Sequence, residues 1–359
     1  MARRSGRSSR SKRAALPLFP FLPAPPRKRR AAARATKAAP LGLPVPGPAR
    51  RTGAPRTNPA RPVSGRWLRA SHSGPAGSRS YDVYLPAGHR RSTPVPLVML
   101  LHGCNQNSEE FVAATRFAAL ADRNGFVIAA PRQTRGHQAG GCWRWYESAH
   151  QFRGAGEPAI LAGIAAEMTA ERSRWRIDPS RVHAAGISAG GAMALILGAT
   201  YPDVFAAVGV HSAPAYRSAT NGLKALAAMR GHGAVATPLP GARMAPLVVF
   251  QGTADAVVHA RSGPLLAEQW LAYDAARSPG PRDPLRITRS RTGAPRTSGG
   301  RRFTVTRWYT ARGRKQLEHW QIEGLAHAWS GGLAGGSYSD RRGPRASTAM
   351  WQFFAAHSL

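Results

Sequence analysis

The five residues Gly186-Ile187-Ser188-Ala189-Gly190 constrain the fold more than any other stretch of this 359-residue chain. The run Arg181-Val-His-Ala-Ala185 reads as a buried strand, and Gly191-Ala-Met-Ala-Leu-Ile-Leu197 as the helix after it. A turn that tight forces its central residue into a strained backbone conformation, and it tolerates only small flanking residues because a larger side chain would strike neighbouring backbone. It therefore presents the Ser188 hydroxyl at the end of a sheet. Gly-x-Ser-x-Gly also arises by chance in a chain with 38 glycines, so its surroundings decide its meaning.

From Trp67 onward, strand-like and helix-like segments alternate as expected of an α/β domain with a mostly parallel sheet covered on both faces. Strands are expected at Trp67–His72, Tyr81–Leu85, Val95–Leu101, Gly125–Ala130, Arg181–Ala185, Phe205–Val210, Pro246–Phe250, Phe303–Tyr309 and Leu317–Ile322. Helices are expected at Glu109–Asn124, from Pro158, at Pro264–Ala276 and at Thr348–His357. Val95–Leu101 is apolar throughout, which puts it at the sheet centre.

The net charge of +34 is unevenly spread: residues 1–70 hold 18 of the 51 Lys/Arg and no acid, the first acid being Asp82. Prolines at 17, 20, 23, 25 and 26 break the apolar piece Leu16–Leu22. Residues 1–66 are therefore expected to be a disordered Arg/Pro-rich segment, with one domain over 67–359. The string Arg-Thr-Gly-Ala-Pro-Arg-Thr occurs at 51–57 and again at 291–297, the second time within a basic stretch, 278–302, read as a surface insertion loop. Both basic stretches could hold polyanions non-specifically through counterion release. They lack interleaved aromatics, so specific nucleic-acid recognition is not expected. No run is long enough for a membrane span. A charged start followed by an apolar stretch resembles an export signal, but those prolines leave no clear signal peptide, and a translation start further downstream is an alternative.

A serine hydroxyl needs a base within hydrogen-bond reach and a third group to orient that base. With Ser188 as nucleophile, Asp255 follows a later strand and His327 a strand later still, the chain order Ser, Asp, His of α/β-hydrolases. Among rivals, Asp203 and Asp274 fall at or within helices, His319 lies mid-strand, and His259 is only four residues beyond Asp255; each reads as structural. The oxyanion should meet the backbone N–H groups of Ala189 and of Cys104, the latter in the loop His102-Gly-Cys104. His102 reads as a packed histidine that shapes this loop. The two cysteines, Cys104 and Cys142, are either unrelated thiols or a disulfide at the active-site face, which would close a 38-residue loop and imply an oxidising compartment. Trp143 and Trp145 are candidates for the wall of an acyl pocket, or else core. This chemistry requires neither metal nor cofactor.

With these residues placed, the chain resembles the polyhydroxybutyrate (PHB) depolymerase family of esterases, related to feruloyl and acetylxylan esterases. The resemblance spans about residues 78–359. It rests on Leu100-Leu-His-Gly-Cys-Asn-Gln106, Ala119-Leu-Ala-Asp-Arg-Asn-Gly-Phe126, Cys142-Trp-Arg-Trp145, Ile177-Asp-Pro-Ser-Arg-Val182, Gly186-Ile-Ser-Ala-Gly-Gly-Ala-Met193, Tyr201-Pro-Asp-Val-Phe205, Gly252-Thr-Ala-Asp255 and Gly324-Leu-Ala-His-Ala-Trp329. It implies an α/β-hydrolase fold and a secreted serine esterase acting on short-chain hydroxyalkanoate esters, with feruloyl or acetylxylan ester hydrolysis as the alternative. A cytoplasmic location is the alternative to secretion. The arginine-rich head and the 278–302 stretch depart from the pattern, and no polymer-binding domain follows His327, which favours oligomers or small esters over solid polymer. A peptidase on the same fold and a non-catalytic polyanion binder are the readings from other classes.

Overall fold

The computed structural model describes residues 63–233, 235, 243–277 and 285–359. Strands β1 (Arg66–Gly74) and β2 (Gly77–Leu85) form an antiparallel pair, and β3 (Val95–Leu101) follows. Helices α1 (Ser108–Thr115) and α2 (Phe117–Asn124) then lead to β4 (Val127–Pro131). Helix α3 (Gly156–Thr169), β5 (Ile177–Ile187), α4 (Ala189–Thr200), β6 (Ala207–His211), α5 (Gly222–Ala227), β7 (Leu247–Gly252) and α6 (Ser262–Arg277) continue the alternation. The chain closes with β8 (Ile287–Thr292), β9 (Arg296–Ser298), β10 (Arg301–Thr310), β11 (Lys315–Ile322), the two-residue strands β12 (Trp329–Ser330) and β13 (Ser339–Asp340), and α7 (Ala346–Phe354).

Among the described residues the main sheet runs β1-β2-β4-β3-β5-β6-β7-β11-β10-β8, with β9 on β10. Its middle, from β4 to β11, is parallel. Alternation along β3 sorts the core into two layers. Leu97, Met99 and Leu101 face the cluster built on α3, α4 and α6, while Val98 and Leu100 face the one built on α1, α2 and α7. No helix among the described residues is long and apolar enough to cross a membrane.

Two expectations are corrected. The single helix over Glu109–Asn124 is broken at Arg116, which sits at φ 62° and ψ 21°. The freed carbonyls find distant partners: Leu333 N–H donates to Ala114 at 2.8 Å and the Ser347 hydroxyl to Thr115 at 2.6 Å. Tertiary bonds thus override local helix propensity. The second correction concerns 278–302, where 287–292 and 296–298 are edge strands on β10 rather than loop. An edge strand keeps one side in solvent and so carries charge readily; here Arg289 lies over the Tyr309 ring and Arg296 over Phe303. Of the segment expected to be disordered, 1–62 lies outside the described residues, as do 278–284 and the first copy of the repeated string.

Candidate active site

Parallel register brings the carboxyl ends of six strands to one rim. Leu101 pairs with Gly186, Ile187 with His211, and Ile322 with Gly252. The loops leaving that rim carry the residues singled out above, as open α/β sheets arrange their sites.

Ser188 is the residue between β5 and α4. It stands at φ 56° and ψ −124°, a conformation costing of order 1–3 kcal/mol for a residue other than glycine. Its amide is held by the His211 carbonyl at 3.0 Å, and its carbonyl accepts from Ala192. A Cβ at Gly190 would lie 2.1 Å from the Leu101 carbonyl oxygen, so the helix can approach β3 this closely only with glycine there. The hydroxyl makes no capping bond to α4 and faces a narrow cleft whose walls include Gly103, Cys104, Gln106, His327 and Tyr338.

Asp255 and His327, 72 residues apart, meet at 2.9 Å between Oδ2 and Nδ1. The β7–α6 loop and the loop after β11 are laced by Thr253 N–H to Ile322, Ala254 N–H to Leu325, and Gly324 N–H to the Thr253 hydroxyl. A Cβ at Gly252 would fall 2.1 Å from the Leu325 carbonyl oxygen, so glycine permits that contact. Asp255 Oδ1 accepts from the amides of Val257 and Val258 at 3.0 and 2.8 Å. Burial alone would push this carboxyl up; the His327 hydrogen bond and charge, the Val258 amide and the Ser212 hydroxyl outweigh it and hold it below the usual range. The bond to Asp255 leaves Nε2 as the imidazole's free nitrogen.

In the loop after β3, the amides of Gly103, Asn105 and Gln106 bond to Gln106 Oε1, the Gly140 carbonyl and the Gly103 carbonyl. The Cys104 amide makes no such bond among the described residues. Ala189 opens α4, so its amide has no intrahelical acceptor. Cys104 and Cys142 form a disulfide. Closing 38 residues stabilises by about 3–4 kcal/mol in the chain-entropy model, so reduction, or Cys142→Ser, should lower the calorimetric Tm by roughly 5 °C or more. A Tm indifferent to reductant would mean the bridge is not closed in solution.

The rival residues are otherwise engaged. Asp203 pairs with Arg153, and Asp274 accepts from the Ile287 amide. His259 accepts from the Arg261 amide, and burial lowers His319 to about 4. His102 is fully buried between the Gly103 carbonyl and the Gln133 amide, and burial lowers it too to about 4, as a loop-shaping histidine requires.

Trp143 and Trp145 are corrected as acyl-pocket walls. Both lie in the core, Trp143 at 0% and Trp145 at 5% exposure, and Trp143 Nε1 donates to the His102 carbonyl at 3.0 Å. Trp143 thus supports the loop after β3. Below it lies a polar cluster that sequence reasoning missed: Arg79, Gln133 and Glu157 bond to one another, and Glu157 accepts from the Arg144 amide at 2.7 Å. Also missed were Gln106, which donates to the Ser337 carbonyl at 3.0 Å and ties two walls of the cleft, Tyr338, edge-on to His327, and buried His211, which accepts from the Ser330 amide. Gln106 was at least visible within a quoted motif; Tyr338 and His211 carried no spacing signal.

A family model described as esterase PHB depolymerase matches residues 79–276. The chain is 35% identical over 146 residues to poly(3-hydroxyalkanoate) depolymerase C of Paucimonas lemoignei, covering 41% of this chain and 34% of that protein. It is 29% identical over 254 residues to poly(3-hydroxybutyrate) depolymerase of Ralstonia pickettii, covering 67% and 49%, and 31% identical over 144 residues to feruloyl esterase B of Neurospora crassa, covering 40% and 47%. The chain therefore spans a third to a half of these relatives' length. Among solved structures, an acetyl xylan esterase from Aspergillus awamori shares the fold at a TM-score of 0.61 and 17% identity, over 81% of this chain and all of that one. The matched segment takes in more than half of the chain and runs from β2 through the Ser188 turn and past Asp255, and on that extent the protein belongs to the esterase PHB depolymerase family.

Proposed function

We propose that this chain is a serine esterase that hydrolyses short-chain poly- or oligo(hydroxyalkanoate) esters through an acyl-enzyme. The observation that carries the reading is that Ser188 and His327 line one cleft while the Asp255 carboxylate stands 2.9 Å behind the imidazole. His327 Nε2 takes the Ser188 proton as Oγ bonds to the ester carbonyl carbon. The amides of Cys104 and Ala189 receive the oxyanion. Collapse of the tetrahedral adduct breaks the carbon–alkoxy bond, and His327 returns the proton to the departing alcohol. Water then repeats the sequence, releasing the acid and regenerating Ser188.

The names of two relatives favour hydroxyalkanoate esters; a feruloyl esterase and a probable acetylxylan esterase among the relatives support feruloyl or acetylxylan esters as the second reading. The disulfide suits an oxidising, extracellular setting. A fluorophosphonate should add one phosphonyl group, located at Ser188 by peptide mass spectrometry, and should stop hydrolysis of p-nitrophenyl butyrate in proportion. Hydrolysis that persists after full labelling, or a label elsewhere, overturns the reading. A parallel assay on hydroxybutyrate oligomers, feruloyl esters and acetylated xylan distinguishes the substrate classes.

A further inference from the structure

A larger hollow, distinct from the cleft, opens between β1, α1 and the start of α2. It is a groove of about 690 Å³, within the range of small-molecule sites, and none of its lining residues lines the cleft. Its walls are mostly apolar: Trp67 and Leu68 on one side, Val112, Ala113 and Ala118 on another, and Leu333 at the rim, with Trp67 41% and Leu333 40% exposed.

The charges in its wall do not balance. Asp82 accepts two bonds from Arg132 and one from the Ser108 hydroxyl. Glu109 accepts from Arg132 at 2.6 Å, and Arg69 lies 3.4 Å from Asp82 and 3.7 Å from Glu109. Two carboxylates and two guanidiniums thus cancel. Arg116 is left over: it lines the groove and has no carboxylate partner among the described residues. Burial lowers its pKa, and the charged groups that add to the effect, Arg345 and Arg123, are both cations. Arg116 is also the residue at φ 62° where α1 breaks into α2, a conformation an arginine rarely holds.

We propose that this groove binds an amphipathic monocarboxylate, with its aliphatic tail along Trp67, Leu68, Val112 and Leu333 and its carboxylate on the Arg116 guanidinium. A planar fork with no competing acid matches one carboxylate in two parallel hydrogen bonds, and the apolar walls recover the area that the tail would expose to water. Alkanoates and hydroxyalkanoates share this chemistry. The inference does not rest on the esterase reading, because the groove can fill whether or not Ser188 reacts.

The test is calorimetric titration of the full-length protein with decanoate and with 3-hydroxydecanoate, beside 1-decanol and acetate. At least one of the acids should bind with one-to-one stoichiometry and acetate should not; the tighter acid identifies the source. Arg116→Gly should weaken the acid by about tenfold or more and leave 1-decanol unchanged. Glycine accepts φ 62° without strain, so this variant should keep its Tm and its ester turnover. Ala113→Trp, which fills the groove from an exposed helix position, should weaken acid and alcohol alike. No binding of either acid, or equal acid affinity in Arg116→Gly, overturns the proposal.

Discussion

Ser188→Ala should reduce kcat/KM on p-nitrophenyl butyrate by about ten-thousandfold or more, the scale seen when a triad nucleophile is removed. The fold should survive, because the hydroxyl makes no capping bond whose loss would orphan a partner. Alanine keeps the strained φ of 56°, so its Tm should stay within about 1 °C of the parent. Ser188→Gly separates chemistry from strain. It should be equally inactive but more stable, by roughly 1 kcal/mol once the greater chain entropy of glycine is set against 1–3 kcal/mol of relieved strain. Calorimetry and turnover on the two variants check both halves. Substantial activity in Ser188→Ala would sink the assignment; a Gly variant no more stable than the Ala variant would sink the claim that the elbow stores strain.

Asp255→Asn should lower kcat by about 10³–10⁴. Oδ1 receives the amides of Val257 and Val258, and His327 Nδ1 lies 2.9 Å from Oδ2 and 3.1 Å from Oδ1. An asparagine that keeps its oxygen on the two amides places its NH₂ at the Oδ2 position, the nearer of the two to Nδ1. Nδ1 then becomes the acceptor and the proton moves to Nε2, the wrong tautomer for the base proposed to take a proton from Ser188. The same carboxyl has a folded pKa held below its ordinary value of 3.8. Its stabilisation is therefore fully present above that ordinary value and is lost as pH falls through the lower folded value. The Tm gap between parent and Asp255→Asn should hold steady from neutral pH to about 5 and close only in stronger acid. A gap that grows on acidification would contradict the depressed pKa.

Much of this was readable in the sequence because the governing signals are local. The apolar run of β3, the Gly-x-Ser-x-Gly turn and the period-two strands β10 and β11 each stand out within a dozen residues. Helix α1 was misread because its break depends on Leu333 and Ser347, over two hundred residues away, and no local pattern at Arg116 announces them. Strands β8 and β9 were misread because arginine-rich composition signals a loop, whereas pairing with β10 makes an edge. Trp143 and Trp145 follow the same logic: aromatic residues beside a reactive loop suit a pocket wall or its foundation equally, and only burial separates the two. In the site, chain order singled out Asp255 and His327, and the fold brings those two side chains together. Gln106, His211 and Tyr338 act through contacts that only the folded chain creates.

The direct pairing of β7 with β11 has a consequence for how such a chain can diverge. Asp255 and His327 lie in the loops that follow adjacent strands, Gly252 beside Ile322, so the excursion from α6 to β10 leaves and rejoins the sheet at two strands already bonded to each other. The arginine-bearing ribbon on that excursion sits at the sheet edge, where added charge or length leaves the pairing of β7 with β11 in place.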